Sequence, residues 1–247
     1  MSYNGAILTV MGADLSGGDY PTDADFTYPV PTTGLVDVWT ADHGLTLDGS
    51  TVLSWRSRGR RRLAMAPSSA ARPTWSATAA DGAPGVIFDG ADDVLIAPVL
   101  PSTSGYVAVA GRMPVPLILG TAQTYLGSET TSTTRLRLGW AGSAGVAAIG
   151  NLTYSDLTTG GGLGAGAAFV LGLRYGGGAA YLRRASAEVD SGAYTGGVGT
   201  APFAIGGNST LSSYSAVTIA AVAIYSGTIS AEAATEIDLA LAARMGG

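Results

Sequence analysis

Short apolar runs separated by turn residues fill the chain from residue 34 onward. GLVDVW at 34–39, YVAVAGRM at 106–113 and AVTIAAVAIY at 216–225 are typical. Between Thr134 and Trp140, leucines alternate with arginines, which gives one apolar face and one polar face. Many short strands with Gly-rich turns predict an all-β fold of antiparallel strands in a two-sheet sandwich.

The two ends of the chain have different patterns. Residues 1–33 mix Gly, Pro and Asp without a sustained apolar period, which predicts an extended N-terminal arm that docks on a partner surface. Near the other end, Ser230 is a candidate N-cap, and Ala234, Ile237 and Leu241 repeat at helical spacing. We therefore expect an arm over 1–33 and a β body over 34–247 that ends in one short helix.

Composition removes several classes of function. The formal net charge of −5 gives no general attraction to nucleic acid. The chain has no cysteine, which excludes disulfides and thiolate metal sites. No run approaches the ~20 apolar residues of a membrane span, so membrane insertion is not expected. The first residues also lack the pattern of a secretory signal.

Five motifs in order carry a resemblance to a known family. They are GLVDVWTADHGLTLDGSTVLSW, ARPTW, IFDGADDVL, FAIGGN and AVTIAAVAIYSGTISAEA, which span residues 34–233. This series resembles the laminin-G-like branch of the concanavalin A-like lectins and glucanases. The resemblance covers 34–245 and implies a jelly-roll sandwich.

The resemblance also implies a function. Isolated domains of this kind look like phage head decorations, head fibres or tail fibres. The first hypothesis is therefore a non-enzymatic adhesion module on a virion surface, homo-oligomeric, docked to other virion proteins by its arm and binding host polysaccharide. The alternatives are a cement protein that binds no sugar and a glycan-degrading enzyme.

The spacing of the glutamates bears on the enzymatic alternative. Glucanase relatives use two Glu on one strand, because glycoside hydrolysis needs an acid and a second carboxylate. Here Glu129 and Glu188 stand alone, while Glu232 and Glu236 fall on the expected helix. The single histidine, His43, has no nucleophile motif beside it. The sequence therefore predicts that the protein is not an enzyme.

Aromatic residues in loop-like surroundings are the candidates for stacking on a sugar. Trp39 and Trp55 end strands and are expected in the core. Flat aromatic surface beside turn amides suffices for carbohydrate binding. The predicted carbohydrate-binding residues are Trp75, Trp140, Tyr125, Tyr154, Tyr194 and Asn208.

Two charged clusters remain. The arginines of RSRGRRR could pair with an anion or with the acidic arm of a neighbouring subunit, and they are Arg56, Arg58, Arg60, Arg61 and Arg62. Asp89, Asp92 and Asp93 surround a glycine between two apolar runs. Such residues form tight turns, so the sequence predicts a turn here. Carboxylates also suit calcium, which makes a calcium site the alternative. No other cofactor is expected.

Overall fold

The computed structural model describes residues 31–58, 62–117, 122–141 and 144–245. In these ranges the chain forms seventeen strands and one helix. The strands are β1 Leu35–Thr40, β2 Leu45–Asp48, β3 Thr51–Arg56, β4 Leu63–Met65, β5 Thr74–Ala80, β6 Ala83–Asp89, β7 Leu95–Ala97, β8 Gly105–Arg112, β9 Gln123–Thr131, β10 Thr134–Ala141, β11 Ala144–Ile149, β12 Leu152–Thr158, β13 Ala168–Gly176, β14 Ala179–Arg184, β15 Ala187–Ala193, β16 Phe203–Ile205 and β17 Ala216–Ser226. The helix is α1, Ala231–Ala242.

All strand pairs between these elements are antiparallel, and hydrogen bonds join them into one continuous sheet. One series of neighbours runs β15–β14–β13–β8–β17, after which β17 pairs with both β1 and β6. The other series runs β12–β11–β10–β9–β16–β7–β4–β3–β2. β6 in turn pairs with β5. A single pair, Thr51 of β3 with Thr74 of β5, therefore joins the two series. The all-β prediction is thus confirmed.

Apolar side chains from both series meet in one core. Leu136 and Leu138 of β10 lie in the same cluster as Val107 of β8, as the alternation in the sequence predicted. Trp39 and Trp55 are fully buried, which confirms their expected place in the core. Each indole N–H donates to a backbone carbonyl, Trp39 to Trp55 at 3.0 Å and Trp55 to Thr40 at 3.1 Å, so neither buried N–H is left unpaired.

The C-terminal helix begins where the sequence predicted. The Ser230 side chain caps it by accepting a hydrogen bond from the Ala233 N–H at 3.1 Å. Ile237 and Leu241 are buried against the outer face of β8 and β17, beside Ala108 and other small side chains. Small residues on these strands let the helix approach the sheet closely.

A buried polar network also holds the helix on the sheet. The Tyr106 hydroxyl donates to Oδ1 of Asp238, and the Arg183 Nε donates to Oδ2 of Asp238 at 3.1 Å. A further Arg183 nitrogen donates to the Thr235 hydroxyl at 2.7 Å. Buried charges are tolerated when they are paired and hydrogen-bonded in this way. The network therefore fixes the helix against β8 and β14.

Within residues 31–58, 62–117, 122–141 and 144–245, no helix is long and apolar enough to cross a lipid bilayer.

Candidate functional site

One row of side chains crosses three neighbouring strands on the outer face of the sheet. Thr218 of β17 pairs with Ile87 of β6 on one side and with Arg112 of β8 on the other. Directly paired residues share a face, so these three side chains lie side by side. Ala110 and Ala108, two and four positions before Arg112, carry α1 on the same face. The row at Arg112 lies beyond the part of the face that the helix covers.

A groove of about 340 Å³ lies over this row. Ile87 and Thr218 line its floor, while Ala79, Pro114 and Val115 contribute its walls. Val115 is 76% exposed, so the groove has an open apolar rim. We call the surface formed by Ala79, Asp81, Ile87, Arg112, Val115 and Thr218 the Arg112 groove.

Asp81 brings a carboxylate to the edge of this groove. It lies in the turn between β5 and β6 with φ of 59°, a left-handed conformation that aspartate tolerates better than most residues. Its Oδ1 lies 3.5 Å from an Arg112 Nη, and the two side chains are 50% and 37% exposed. The groove thus presents one anion and one cation that solvent can reach.

Hydrogen bonds within the chain occupy only part of these polar groups. The Arg112 Nε donates to the Gly166 carbonyl, which orients the guanidinium, and Arg112 lines the groove. Among the described residues, the Thr218 hydroxyl has no hydrogen-bond partner. An apolar floor with a few convergent donors and acceptors is the usual composition of a small-molecule site. Here that arrangement suits a polyhydroxylated ligand with one apolar side.

Two of the aromatic residues predicted to bind carbohydrate belong to the core instead, and a third is partly buried against it. Trp140 is 1% exposed and Tyr125 is 0% exposed, so neither offers a ring face to a sugar. Tyr125 stacks on Phe169 at a centroid distance of 5.2 Å. Trp75 packs on the core and its indole N–H donates to the Ala41 carbonyl at 2.9 Å. The prediction is wrong for Trp140 and Tyr125, because their strands bury them, whereas sugar contact by the partly buried Trp75 stays a prediction.

Tyr194 and Asn208, which were also predicted to bind carbohydrate, contact other parts of their own chain. Tyr194 is partly buried against the core. The Asn208 side chain donates to Glu129 at 3.1 Å, and its oxygen accepts from the Ser212 N–H at 3.0 Å, so it organises a loop and is itself buried. The Tyr154 side chain lies outside the described part of the chain. We therefore take the Arg112 groove as the candidate site, while sugar contact by Tyr154 and Tyr194 stays a prediction.

The three aspartates at the end of β6 form a turn. The Asp93 carboxylate accepts from the Asp89 N–H at 2.9 Å, and the Asp89 carboxylate accepts from the Ala91 N–H at 2.8 Å. Burial, with a smaller contribution from the neighbouring carboxylates of Asp89 and Asp92, raises the pKa of Asp93 to about 6, although the hydrogen bond from the Asp89 N–H opposes the rise. Ligand oxygens of the three residues lie within 4.8 Å of one another. Calcium binding at this turn stays a prediction.

The described arginines of the basic cluster find partners within their own chain. The Arg58 Nε donates to the Thr40 hydroxyl at 2.8 Å, and an Nη of Arg58 lies 3.4 Å from Asp42. Arg62 lies 3.7 Å from the buried carboxylate of Asp37. Both arginines therefore have partners within the chain, and their contact with a neighbouring subunit or an anion stays a prediction. Arg56 is exposed. Arg60, Arg61 and nearly all of the predicted arm, residues 1–30, lie outside the described residues.

Sequence reasoning missed the residues of the Arg112 groove. The available signal was Arg112 itself, a charge at the end of the apolar run YVAVAGRM. Nothing local indicates that Asp81 and Thr218 lie beside it.

Comparisons with known proteins give structural neighbours but no family. No family model matches the chain, and no curated protein matches it. Trypanosoma rangeli sialidase in complex with 2,3-difluorosialic acid is similar in structure, with a TM-score of 0.62 and 18% identity. The alignment covers 87% of this chain and 34% of the sialidase, so the chain spans about a third of that protein's length. Membership of the concanavalin A-like family stays a prediction.

Two other neighbours are separate domains of larger proteins. Domain 4 of AbnA, a GH43 extracellular arabinanase from Geobacillus stearothermophilus in complex with arabinotriose, has a TM-score of 0.50 and 18% identity over 67% of this chain and 81% of that domain. The receptor-binding domain of botulinum neurotoxin type G has a TM-score of 0.52 and 10% identity over 84% of this chain and 51% of that one. At these identities the likeness shows the fold alone.

These neighbours correct the prediction that the protein is not an enzyme. That prediction rested on missing Glu pairs, which argue only against the glucanase arrangement of two Glu on one strand. Chains of a sialidase and of a GH43 arabinanase contain this fold. The fold therefore belongs to glycosidase chains as well as to binding domains, and it gives no ground for excluding an enzyme.

Proposed function

We propose that the protein is a carbohydrate-binding β domain and that the Arg112 groove contacts the glycan. The observation that carries this proposal is the pairing of open donors and acceptors with an apolar floor. Arg112 and Asp81 supply a guanidinium and a carboxylate, and Thr218 supplies a hydroxyl. Ile87 and Val115 provide the apolar surface that the C–H face of a sugar ring needs.

One similar structure supports a carbohydrate ligand of the kind this groove suits. Domain 4 of the arabinanase was determined with arabinotriose, a neutral oligosaccharide. We further propose the finer fold expected from the sequence, a lectin-like jelly-roll sandwich in which the groove lies on the outer face of one of two packed layers. Recognition of a glycan by such a domain is compatible with a place in a longer glycan-acting protein.

Display on a phage-like virion is a separate proposal. Its support is the composition of residues 1–33, which is typical of an extended docking arm. The neighbours described above name no virion protein. Deleting residues 1–33 should detach the body from a particle and leave the body folded, which a sedimentation assay of particles with added protein would show.

Glycan-array binding followed by calorimetric titration tests the binding proposal. Arg112→Gln should weaken the affinity about 10- to 100-fold, because a charge-assisted hydrogen bond contributes about 1.5–3 kcal/mol. Thr218→Val keeps the shape of the side chain and should weaken it about threefold or more. Arg56→Gln removes an exposed arginine that does not line the groove and should leave the affinity unchanged.

Two results would overturn the proposal. One is a folded wild-type protein that binds no glycan on a broad array. The other is an Arg112→Gln protein with an unchanged melting temperature and the affinity of the wild type.

A further inference from the structure

The charges of the Arg112 groove favour one class of sugar over another. Resting on the proposed function, we infer that the groove selects neutral sugars with adjacent free hydroxyls over sugars that carry a carboxylate or sulfate. The inference depends on the juxtaposition of the Asp81 carboxylate and the Arg112 guanidinium over an uncharged floor.

The geometry of the pair leaves both partners able to bind a ligand. The 3.5 Å between the Arg112 nitrogen and the Asp81 oxygen exceeds the usual length of a charge-assisted hydrogen bond. A carboxylate accepts several hydrogen bonds, and a guanidinium has five N–H donors. One ring hydroxyl can therefore donate to Asp81 while its neighbour accepts from Arg112. Two adjacent hydroxyls can therefore hydrogen-bond to both groups while the two charges of the groove still balance each other.

An acidic sugar fits the same place poorly. Its anion would pair with Arg112 only by lying next to the Asp81 carboxylate, and like charges at this separation repel. The side of the guanidinium that contains Nε already donates to the Gly166 carbonyl, so a bidentate contact there is blocked. The formal net charge of −5 on the whole chain opposes an anion as well.

Asp81 is the residue that sets this preference, and asparagine is a close structural substitute for it. Asparagine tolerates positive φ as well as aspartate does, so Asp81→Asn should keep the turn at φ 59°. The amide still accepts a hydrogen bond from a sugar hydroxyl or from Arg112. The variant differs from the wild type chiefly in the charge of the groove, which changes from balanced to positive.

Calorimetric titration with a matched pair of oligosaccharides tests the inference. The two members are alike except that one sugar is a hexose in the first and the corresponding uronic acid in the second. The wild type should bind the neutral member at least tenfold more tightly, and Asp81→Asn should reduce or reverse this ratio by about tenfold, which corresponds to about 1.4 kcal/mol. Asp48→Asn, at an exposed carboxylate on β2, makes the same change in net charge and should leave the ratio unchanged.

The outcomes separate this inference from the proposed function. A wild type that binds only the acidic member, with binding lost in Arg112→Gln, overturns the neutral preference and leaves glycan binding in place. An Asp81→Asn protein with the wild-type ratio also overturns the preference. A wild type that binds no member of a broad series overturns both.

Discussion

Substituting Asp93 by asparagine should remove a pH-dependent part of the protein's stability. Burial raises the pKa of Asp93 from 3.8 to about 6, so the folded state holds this proton more tightly than the unfolded state. The group's contribution to stability is therefore fully present below about pH 4 and is lost as the pH rises through about 6. A pKa change of this size corresponds to about 3 kcal/mol. Because the turn lies near solvent, we expect about 2 kcal/mol.

Urea denaturation of the wild type and Asp93→Asn at several values from about pH 4 to about pH 7.5 measures this effect. The asparagine oxygen can still accept the Asp89 N–H, so the turn should persist. The difference in free energy of unfolding, variant minus wild type, should increase by about 2 kcal/mol from the acidic to the neutral end. A difference that stays constant with pH would refute the argument.

The same experiment with added calcium tests the metal prediction for this turn. A bound cation stabilises the folded state by mass action and favours the ionised carboxylates of Asp89, Asp92 and Asp93. If calcium binds there, it should stabilise the wild type near pH 7, have little effect near pH 4 and have little effect on Asp93→Asn. An identical response of both proteins to calcium at both pH values would exclude this turn as the site.

Three further substitutions probe the framework. Asp238→Ala should lower the free energy of unfolding by about 3–5 kcal/mol, because the buried Arg183 guanidinium loses its buried carboxylate partner. Denaturant titration should show Arg183→Met combined with Asp238→Leu to be much milder, and a loss below about 1 kcal/mol for Asp238→Ala would contradict this role. Ser230→Ala should cost about 1 kcal/mol through the lost cap, measured in the same way, whereas no change would mean that the cap is dispensable. Trp140→Ala should cost about 3–5 kcal/mol in thermal unfolding, and loss of sugar binding without loss of stability would restore Trp140 as a contact residue.

Local patterns predicted the elements whose signals are local. In β10, leucines alternate with arginines because one face is in the core and the other is not. The helix was predictable from its cap at Ser230 and its apolar stripe. By contrast, β9 reads QTYLGSETT, and its first seven residues are buried regardless of polarity. The polar residues hide the strand pattern, so the sequence predicted loop-like surroundings for Tyr125. The pairing of β9 with β10 also shifts register between Leu138 and Gly139.

The candidate site was not predictable in the same way. Ile87, Arg112 and Thr218 come from three strands that are far apart in sequence, and only the pairing of β17 with β6 and β8 places them in one row. Strand register depends on the whole core and not on any short pattern. Aromatic residues were the obvious candidates for sugar contact in the sequence. In the structure Trp140 and Tyr125 are buried, and Trp75 and Tyr194 pack against the core. The pair of Asp81 and Arg112 forms only because the β5–β6 turn contacts the end of β8, and no local pattern predicts that contact.

The position of β17 has a consequence for the order in which the protein can fold during synthesis. This strand lies between β1 and β8 and also pairs with β6, so the earliest segment of the body waits for residues 216–226 to leave the ribosome. Until then β1 and β8 present unpaired edges, which favour association with other nascent chains. The pairing of β1 is therefore delayed until β17 has been made, and a message truncated before β17 should yield aggregate in place of a smaller domain.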